Sequence, residues 1–461
     1  MTTSDNEDNR FTARASRYVK IGTGAGSIAA KLAGQRLFGL EGNRASNAAQ
    51  LAAALGGLKG PLMKVAQLLA TIPDAVPAEY ARELGQLQSQ APAMGQAFVR
   101  RRMMAELGPD WRSRFAAFDE TATASASLGQ VHRAMSHDGL ALAAKLQYPD
   151  MQSAVEADLN QLRVIFALHA RLEPGVDTVE IFEEVGARLR EELDYDLEAR
   201  HTRLYGHIFA PSPAATASQI VRVPKIVGEL STKRLLTMTW LDGGKLLDHK
   251  VDPIEHRNAL AGAMFHAWWY PFSQFGVIHG DPHLGNYTVF SEGGAPAGIN
   301  LLDYGCIRTF PVSFVQGVID LYTGLLEGNR DLVVHGYETW GFKGLNSELI
   351  DVLTIWARFI YGPLLDDRER TIAEDTTPGD YGRQEVLQVK TLLREKGPVT
   401  IPRGFVFMDR AAIGLGGVFL HLNARRNWYR MFNELIENFD IEAIRIRQNQ
   451  AFAASGVPLP I

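Results

Sequence analysis

The chain has 461 residues, 46% of them hydrophobic, and a net charge of −5, room for two or three domains at roughly 150 residues each. That balance excludes the dense basic field that a nucleic-acid backbone calls for, so no nucleic-acid partner is expected. The single cysteine, Cys306, excludes intrachain disulfides and multi-cysteine metal sites, in keeping with a reducing compartment, and reads as a small buried residue before a nucleophile.

The N-terminus, MTTSDNEDNR, lacks the basic start and apolar core of a secretory signal, and no apolar run approaches the roughly 18 residues that span a bilayer. A cytoplasmic protein is expected, with peripheral contact at the inner face of a membrane. Residues 10–40 supply that contact: Arg10, Arg14, Arg17, Lys20, Lys31 and Arg36 give local positive charge, and Ile21, Ala25, Ile28 and Leu32 form an apolar stripe. This is the pattern of an interfacial helix drawn to anionic lipid, although Gly22, Gly24, Gly26 and Gly34 each cost about 1 kcal/mol of helix propensity. A helix over about 58–71, stopped by Pro73, puts Lys64 and Gln67 on one face.

Further on, TATASASLGQVHRA (121–134) occupies the place of a phosphate-covering loop, with Ala124, Ser125, Ala126, Ser127 and Gly129 as nucleotide contacts. Its Ala and Ser residues keep backbone N–H donors but give up positive-φ freedom, which Gly129 alone is expected to retain. The strand GLALAAKLQYP then ends in Lys145, like the V-A-I-K strand that brings a lysine to nucleotide phosphates. One helix is expected over 178–200, from Ile181, Val185, Leu189 and Leu193 at helical interval. On it Glu192 and Glu198, six apart, point in different directions. PSPAATAS (211–218) reads as an exposed loop. KRLLTMTWLDG (233–243) reads as a strand entering a glycine-marked linker, a hinge that meets adenine at Met238 and Trp240. AMFHAWWYPFSQFGVIHGD reads as an aromatic helix, with Trp268 and Trp269 in the core.

The run HGDPHLGN, His279 to Asn286, followed by LLDYG ending at Gly305, carries the chemistry. In an H-x-D-x-x-x-x-N loop the Asp takes the proton of the attacking hydroxyl and the Asn holds magnesium, while the Asp of a following D-F-G-type turn holds the metal against the phosphates. Asp281, Asn286 and Asp303 fit those roles. The stretches 287–290 and 299–303, separated by a Gly/Pro turn at Gly293 to Gly298, predict a hairpin with both metal ligands at its ends. The bland alternative is a satisfied histidine with two turn-capping aspartates.

These residues resemble the UbiB-type (AarF-domain) atypical protein-kinase-like family over about residues 45–310. KVAQ (64–67) is similar to the family's K-x-G-Q motif, SASLGQVHRA (125–134) to its alanine-rich loop, and ELDYDLEA (192–199) to its E-x-D-Y-x-x-E-A helix. The resemblance implies an α+β, two-lobed protein-kinase-like fold: a helical extension over 1–110, an N-lobe over 111–240 and a helical C-lobe over 241–461. It implies that Lys145 pairs with Glu198, that Lys64 and Gln67 approach Glu192 and Asp194 as a regulatory element, and that the protein binds ATP and Mg²⁺ in support of ubiquinone biosynthesis. Quinone-precursor lipids and quinone-biosynthesis proteins are the implied partners. Three departures stand out: Ala66 for the motif glycine, Thr239 where the hinge usually carries an acid, and Tyr304 for the D-F-G aromatic. Two other readings share the loop. One is a small-molecule phosphotransferase of the aminoglycoside or choline kinase sort, and the other is a scaffold switched by ATP occupancy without phosphoryl transfer.

Overall fold

The structure, a computed structural model, describes residues 94–125, 128–157, 159–160, 186–210, 220–374 and 402–460, with a few positions between 376 and 392. The expected interfacial helix, the helix bearing Lys64 and Gln67, loop residues Ala126 and Ser127, the segment 178–185 and PSPAATAS lie outside these residues. Two compact units account for the chain, Met1–Asp196 with Val227–Trp240, and Leu197–Ile226 with Leu241–Ile461.

In the first unit, helix α1 (Gln96–Leu107) puts Val99, Met103 and Leu107 on one stripe at a spacing of four. Strands β1 (Ala117–Phe118), β2 (Ala124–Ser125), β3 (Gly129–Met135) and β4 (Ala141–Gln147) follow. Past helix α2 (Tyr195–Ile208) and strand β5 (Val221–Arg222), which belong mostly to the second unit, β6 (Leu235–Thr239) completes an antiparallel sheet of order β1-β3-β4-β6, with β2 also on β3. Strand alternation sends Leu142, Ala144 and Leu146 of β4 to the core shared with α1. Lys145 and Gln147 therefore take the opposite face.

Two expectations need correction here. The helix expected over 178–200 is not continuous: residues 186–192 are helical, the chain leaves the helix at Leu193 and Asp194, and α2 begins at Tyr195. The Leu193 carbonyl accepts the Gln147 Nε2–H at 3.1 Å, and Asp194 N–H turns back to the Glu191 carbonyl. A side chain of the sheet thus bonds the backbone at the point where the helix stops. Gly129, in turn, is not a positive-φ residue. A Cβ there would lie 2.6 Å from the Leu146 carbonyl oxygen and 2.9 Å from the Tyr195 hydroxyl, so glycine is required by close approach instead.

The second unit is built on helix α3 (Ile254–Phe275), which buries Met264, Phe265, Trp268 and Phe272 and stops at Gly276, φ +63°. Strand β7 (Val277–His279) leaves it, β8 (Tyr287–Glu292) and β9 (Ala295–Leu301) form a hairpin, and β10 (Ile307–Thr309) pairs back with β7. The hairpin is as expected but its turn is tighter. Only Gly293 (φ +59°) and Gly294 (φ +84°) turn, the two positive-φ positions of a two-residue type I′ loop. Gly298 lies within β9, where a Cβ would meet the Ile220 carbonyl oxygen at 2.2 Å as β5 pairs in parallel alongside.

Helices α4 (Val312–Glu327), α5 (Arg330–Trp340), α6 (Ser347–Tyr361), α7 (Arg403–Leu422), α8 (Trp428–Ile436) and α9 (Ile441–Ser455) complete this unit. Trp268 is fully buried and Trp269 packs against the same core, as expected for both. Gln448 of α9 donates from Nε2 to the carbonyls of Phe275 and Phe310, tying the tail to the end of α3. None of the described helices is long and apolar enough to cross a membrane.

Among the α3, α5, α6, α7 and α8 rings, which include Phe265, Trp340, Trp356, Phe419 and Phe432, lies a narrow cavity that reaches Asp409. Trp356 Nε1–H donates to this carboxyl, and the enclosing wall desolvates it, pushing its pKa well above the ordinary 3.8. Above that ordinary value the unfolded chain ionises while the folded protein keeps the proton. Stability is therefore fully present below about pH 4 and falls as the pH rises toward the folded pKa. Asp409→Asn, which keeps an acceptor for Trp356, is expected to remove this slope and to be the more stable protein at about pH 8. Urea midpoints at about pH 5 and pH 8 check it; parallel slopes in the two proteins would refute the assignment.

Candidate active site

His279, fully buried at the end of β7, organises the site. Its Nε2 lies 2.8 Å from the Asp303 carbonyl oxygen, which can only accept, so Nε2 carries the proton. Its Nδ1 then accepts the Asp281 backbone N–H at 3.1 Å. A ring that donates at one nitrogen and accepts at the other is neutral, and here it joins the two segments that bear the acids. Trp268 fixes it in turn, donating its indole N–H to the His279 carbonyl at 2.8 Å.

Asn286 Nδ2 donates to the Asp281 carbonyl at 3.0 Å, and the Leu302 N–H donates to the Asn286 carbonyl at 2.9 Å. Across the loop, Gly280 N–H donates to the carbonyl of half-buried Cys306 at 2.7 Å, and Gly305 N–H donates to Asp303 Oδ1 at 3.0 Å. Asp281, Asn286 and Asp303 are thus held together by backbone and imidazole bonds within one unit. With Nδ2 committed to Asp281, Asn286 has Oδ1 as its remaining donor atom; with the Asp303 carboxylate this makes a hard oxygen set, which suits a hard divalent cation better than a soft metal.

Tyr304, in the D-F-G aromatic position, is fully buried and donates its hydroxyl to the Leu301 carbonyl at 3.1 Å. Burial, then the neighbouring Tyr205, Asp303 and Glu198, push its pKa well up, so it stays a neutral donor. Its own carbonyl accepts from His201 Nδ1 at 3.2 Å. Glu198, buried on α2, lies one turn beyond Tyr195.

The first unit holds the other described candidates. Lys145 is buried on β4, opposite Val131 and Leu236, with Nζ 5.4 Å from the centre of the Tyr195 ring. Ala124 and Ser125 pair with Val131 and Gln130. Met238 is buried opposite Ala143. The Trp240 N–H donates to the Ala141 carbonyl at 2.8 Å, which commits that donor to the sheet, and Arg133 stacks over the Trp240 ring at 5.0 Å. Glu192 is the last helical residue before the break and Asp194 lies within it.

Sequence reasoning passed over three residues of this arrangement. His279 was visible as the H of H-x-D, but its grip on the Asp303 carbonyl depends on the β7–β10 pairing. Asn300 is fully buried in β9 and ties the Asp242 carbonyl (3.0 Å) to Thr288 (2.9 Å); a lone amide inside INLLD was its only signal. Tyr195 carried no signal beyond its place in ELDYDLEA.

The mixed sheet and helix architecture is that of a protein-kinase-like α+β fold. Residues 86–336 match the model of the ABC1 atypical kinase-like domain, and the chain belongs to that family. It is 31% identical over 281 residues to AarF domain-containing protein kinase 1 of Xenopus laevis, covering 60% of this chain and 52% of that one. It is 28% identical over 259 residues to the mitochondrial atypical kinase COQ8 of Saccharomyces cerevisiae, covering 56% and 50%. The chain spans about half the length of the curated relatives it matches. Among solved structures, the Rv3197–erythromycin complex from Mycobacterium tuberculosis superposes with a TM-score of 0.56 at 25% identity, covering 89% of this chain and 98% of that one.

Proposed function

We propose that the protein is an atypical kinase or ATPase that binds Mg-ATP and supports ubiquinone biosynthesis. The observation that carries this reading is the neutral His279 ring bridging the Asp281 N–H and the Asp303 carbonyl, which serves a base and a metal ligand at once. Asp281 accepts the proton of the attacking hydroxyl or water; Asn286 and Asp303 hold the metal. Bound Mg²⁺ supplies charge neutralisation at the phosphates. Lys145, paired with Glu198, contacts the phosphates; Ala124, Ser125, Ala126, Ser127 and Gly129 cover them; and Met238 and Trp240 border the base. Lys64 and Gln67, set against Glu192 and Asp194, restrict access for large acceptors. The biosynthetic role, the quinone-precursor and protein partners and the peripheral membrane contact through residues 10–40 come from the family resemblance and from the charge pattern of that segment.

A second reading, action on a small molecule, draws support from the structural relative solved with erythromycin. Mg-dependent ATP turnover measured alone, with anionic liposomes and a phenolic quinone precursor, and with a macrolide separates the two. Stimulation by the precursor on membranes is expected; stimulation by the macrolide alone would favour the second reading.

A further inference from the structure

Helix α7 meets the catalytic loop at a glycine. A Cβ on Gly414 would lie 2.4 Å from Cγ of Pro282 and 3.4 Å from its Cδ. Pro282 is buried and directly follows Asp281, and its ring, closed onto its own backbone, has no rotamer into which to retreat. Its carbonyl is further held by the Tyr287 hydroxyl, which donates at 3.3 Å. A change of ring pucker shifts Cγ only in part, so full relief of the clash has to move the loop backbone or the helix.

Glycine within a helix costs about 1 kcal/mol relative to alanine, and Gly414 does not have a positive φ to account for it. Gly206, on α2, shows the contrasting case: a Cβ there meets nothing within 4 Å. The steric demand at Gly414 comes from Pro282.

We propose that Gly414 is a positioning residue for Asp281, leaving a notch in α7 that seats the Pro282 ring and fixes the loop. Helix α7 lies beyond residues 86–336, the part matched by the family model. A segment C-terminal to the family domain thereby becomes part of the catalytic apparatus. The proposal rests on the reading of Asp281 as the base.

The test uses the full chain with two readouts, Mg-dependent ATP turnover and amide hydrogen exchange across residues 279–286, where the Asp281 amide is bonded to His279. Gly414→Ala should speed exchange in the loop and lower kcat by about 10- to 100-fold, the scale of a small misplacement of a reacting group. The KM for ATP should change by less than about twofold. Adding Pro282→Ala to Gly414→Ala removes the clashing ring and should restore both, while Gly206→Ala should match the wild type. A protected loop with unchanged kcat in Gly414→Ala, or a defect that Pro282→Ala does not relieve, overturns the proposal. Should Gly414→Ala not fold, the double variant decides, since it folds only if Pro282 is the cause. Absence of ATP turnover in the wild type would remove the kinase reading and with it the catalytic role of Gly414, while the exchange result would still decide whether the glycine seats Pro282 and fixes the loop.

Discussion

Replacing Asp303 by Asn is expected to lower the affinity for Mg-ATP by about 100-fold or more, a loss near 2.7 kcal/mol, whereas Asp281→Asn should leave affinity within about threefold and lower kcat by about 10² to 10⁴. A metal ligand stabilises the bound phosphates before any reaction, while a base acts only as the nucleophile attacks. Both substitutions keep the backbone groups that His279 holds, the Asp281 N–H and the Asp303 carbonyl, so the loop should persist in each variant. Calorimetric titration with nucleotide, alongside turnover, separates the roles. Equal losses of affinity in the two variants would contradict the assignment.

The largest effect on stability should come from Gly298→Val. Its Cβ would stand 2.2 Å from the Ile220 carbonyl oxygen and 2.8 Å from the Phe290 ring, and the first of these is backbone that a rotamer change cannot move. β5 would have to part from β9, at a cost of about 3 kcal/mol, the upper range for overpacking. Gly293→Asn, at φ +59° in the hairpin turn with open space around it, should change stability by less than about 0.5 kcal/mol, because asparagine tolerates that backbone region. Urea unfolding of both variants checks the contrast, and a Gly298→Val midpoint equal to that of the wild type would show that β5 does not press on β9.

Local chemistry explains why so much of the site could be read from sequence. The H-x-D-x-x-x-x-N spacing, the hairpin and the strand carrying Lys145 depend on residues near one another in the chain; the hairpin is present with a tighter turn, and the strand runs two residues past Lys145, to Gln147. Features set by distant partners were not legible. At the break, Leu193 meets Gln147, 46 residues away. Gly129 was assigned a backbone freedom it does not use, because the carbonyl and hydroxyl crowding it come from Leu146 and Tyr195. Gly298 was placed in a turn for the same reason: its constraint comes from the carbonyl of Ile220, the residue just before β5. The link from His279 to Asp303 spans 24 residues and needs β10 folded back on β7.

The most direct measurement is thermal denaturation of the wild-type chain with Mg²⁺ alone, ATP alone and the two together. A ligand that binds only the folded state stabilises it by about 2.7 kcal/mol at a hundredfold excess over Kd. A rise of several degrees in Tm is expected with Mg-ATP, a much smaller one with either component, and loss of the rise in Asp303→Asn. No rise with saturating Mg-ATP in the wild type would contradict the Mg-ATP reading.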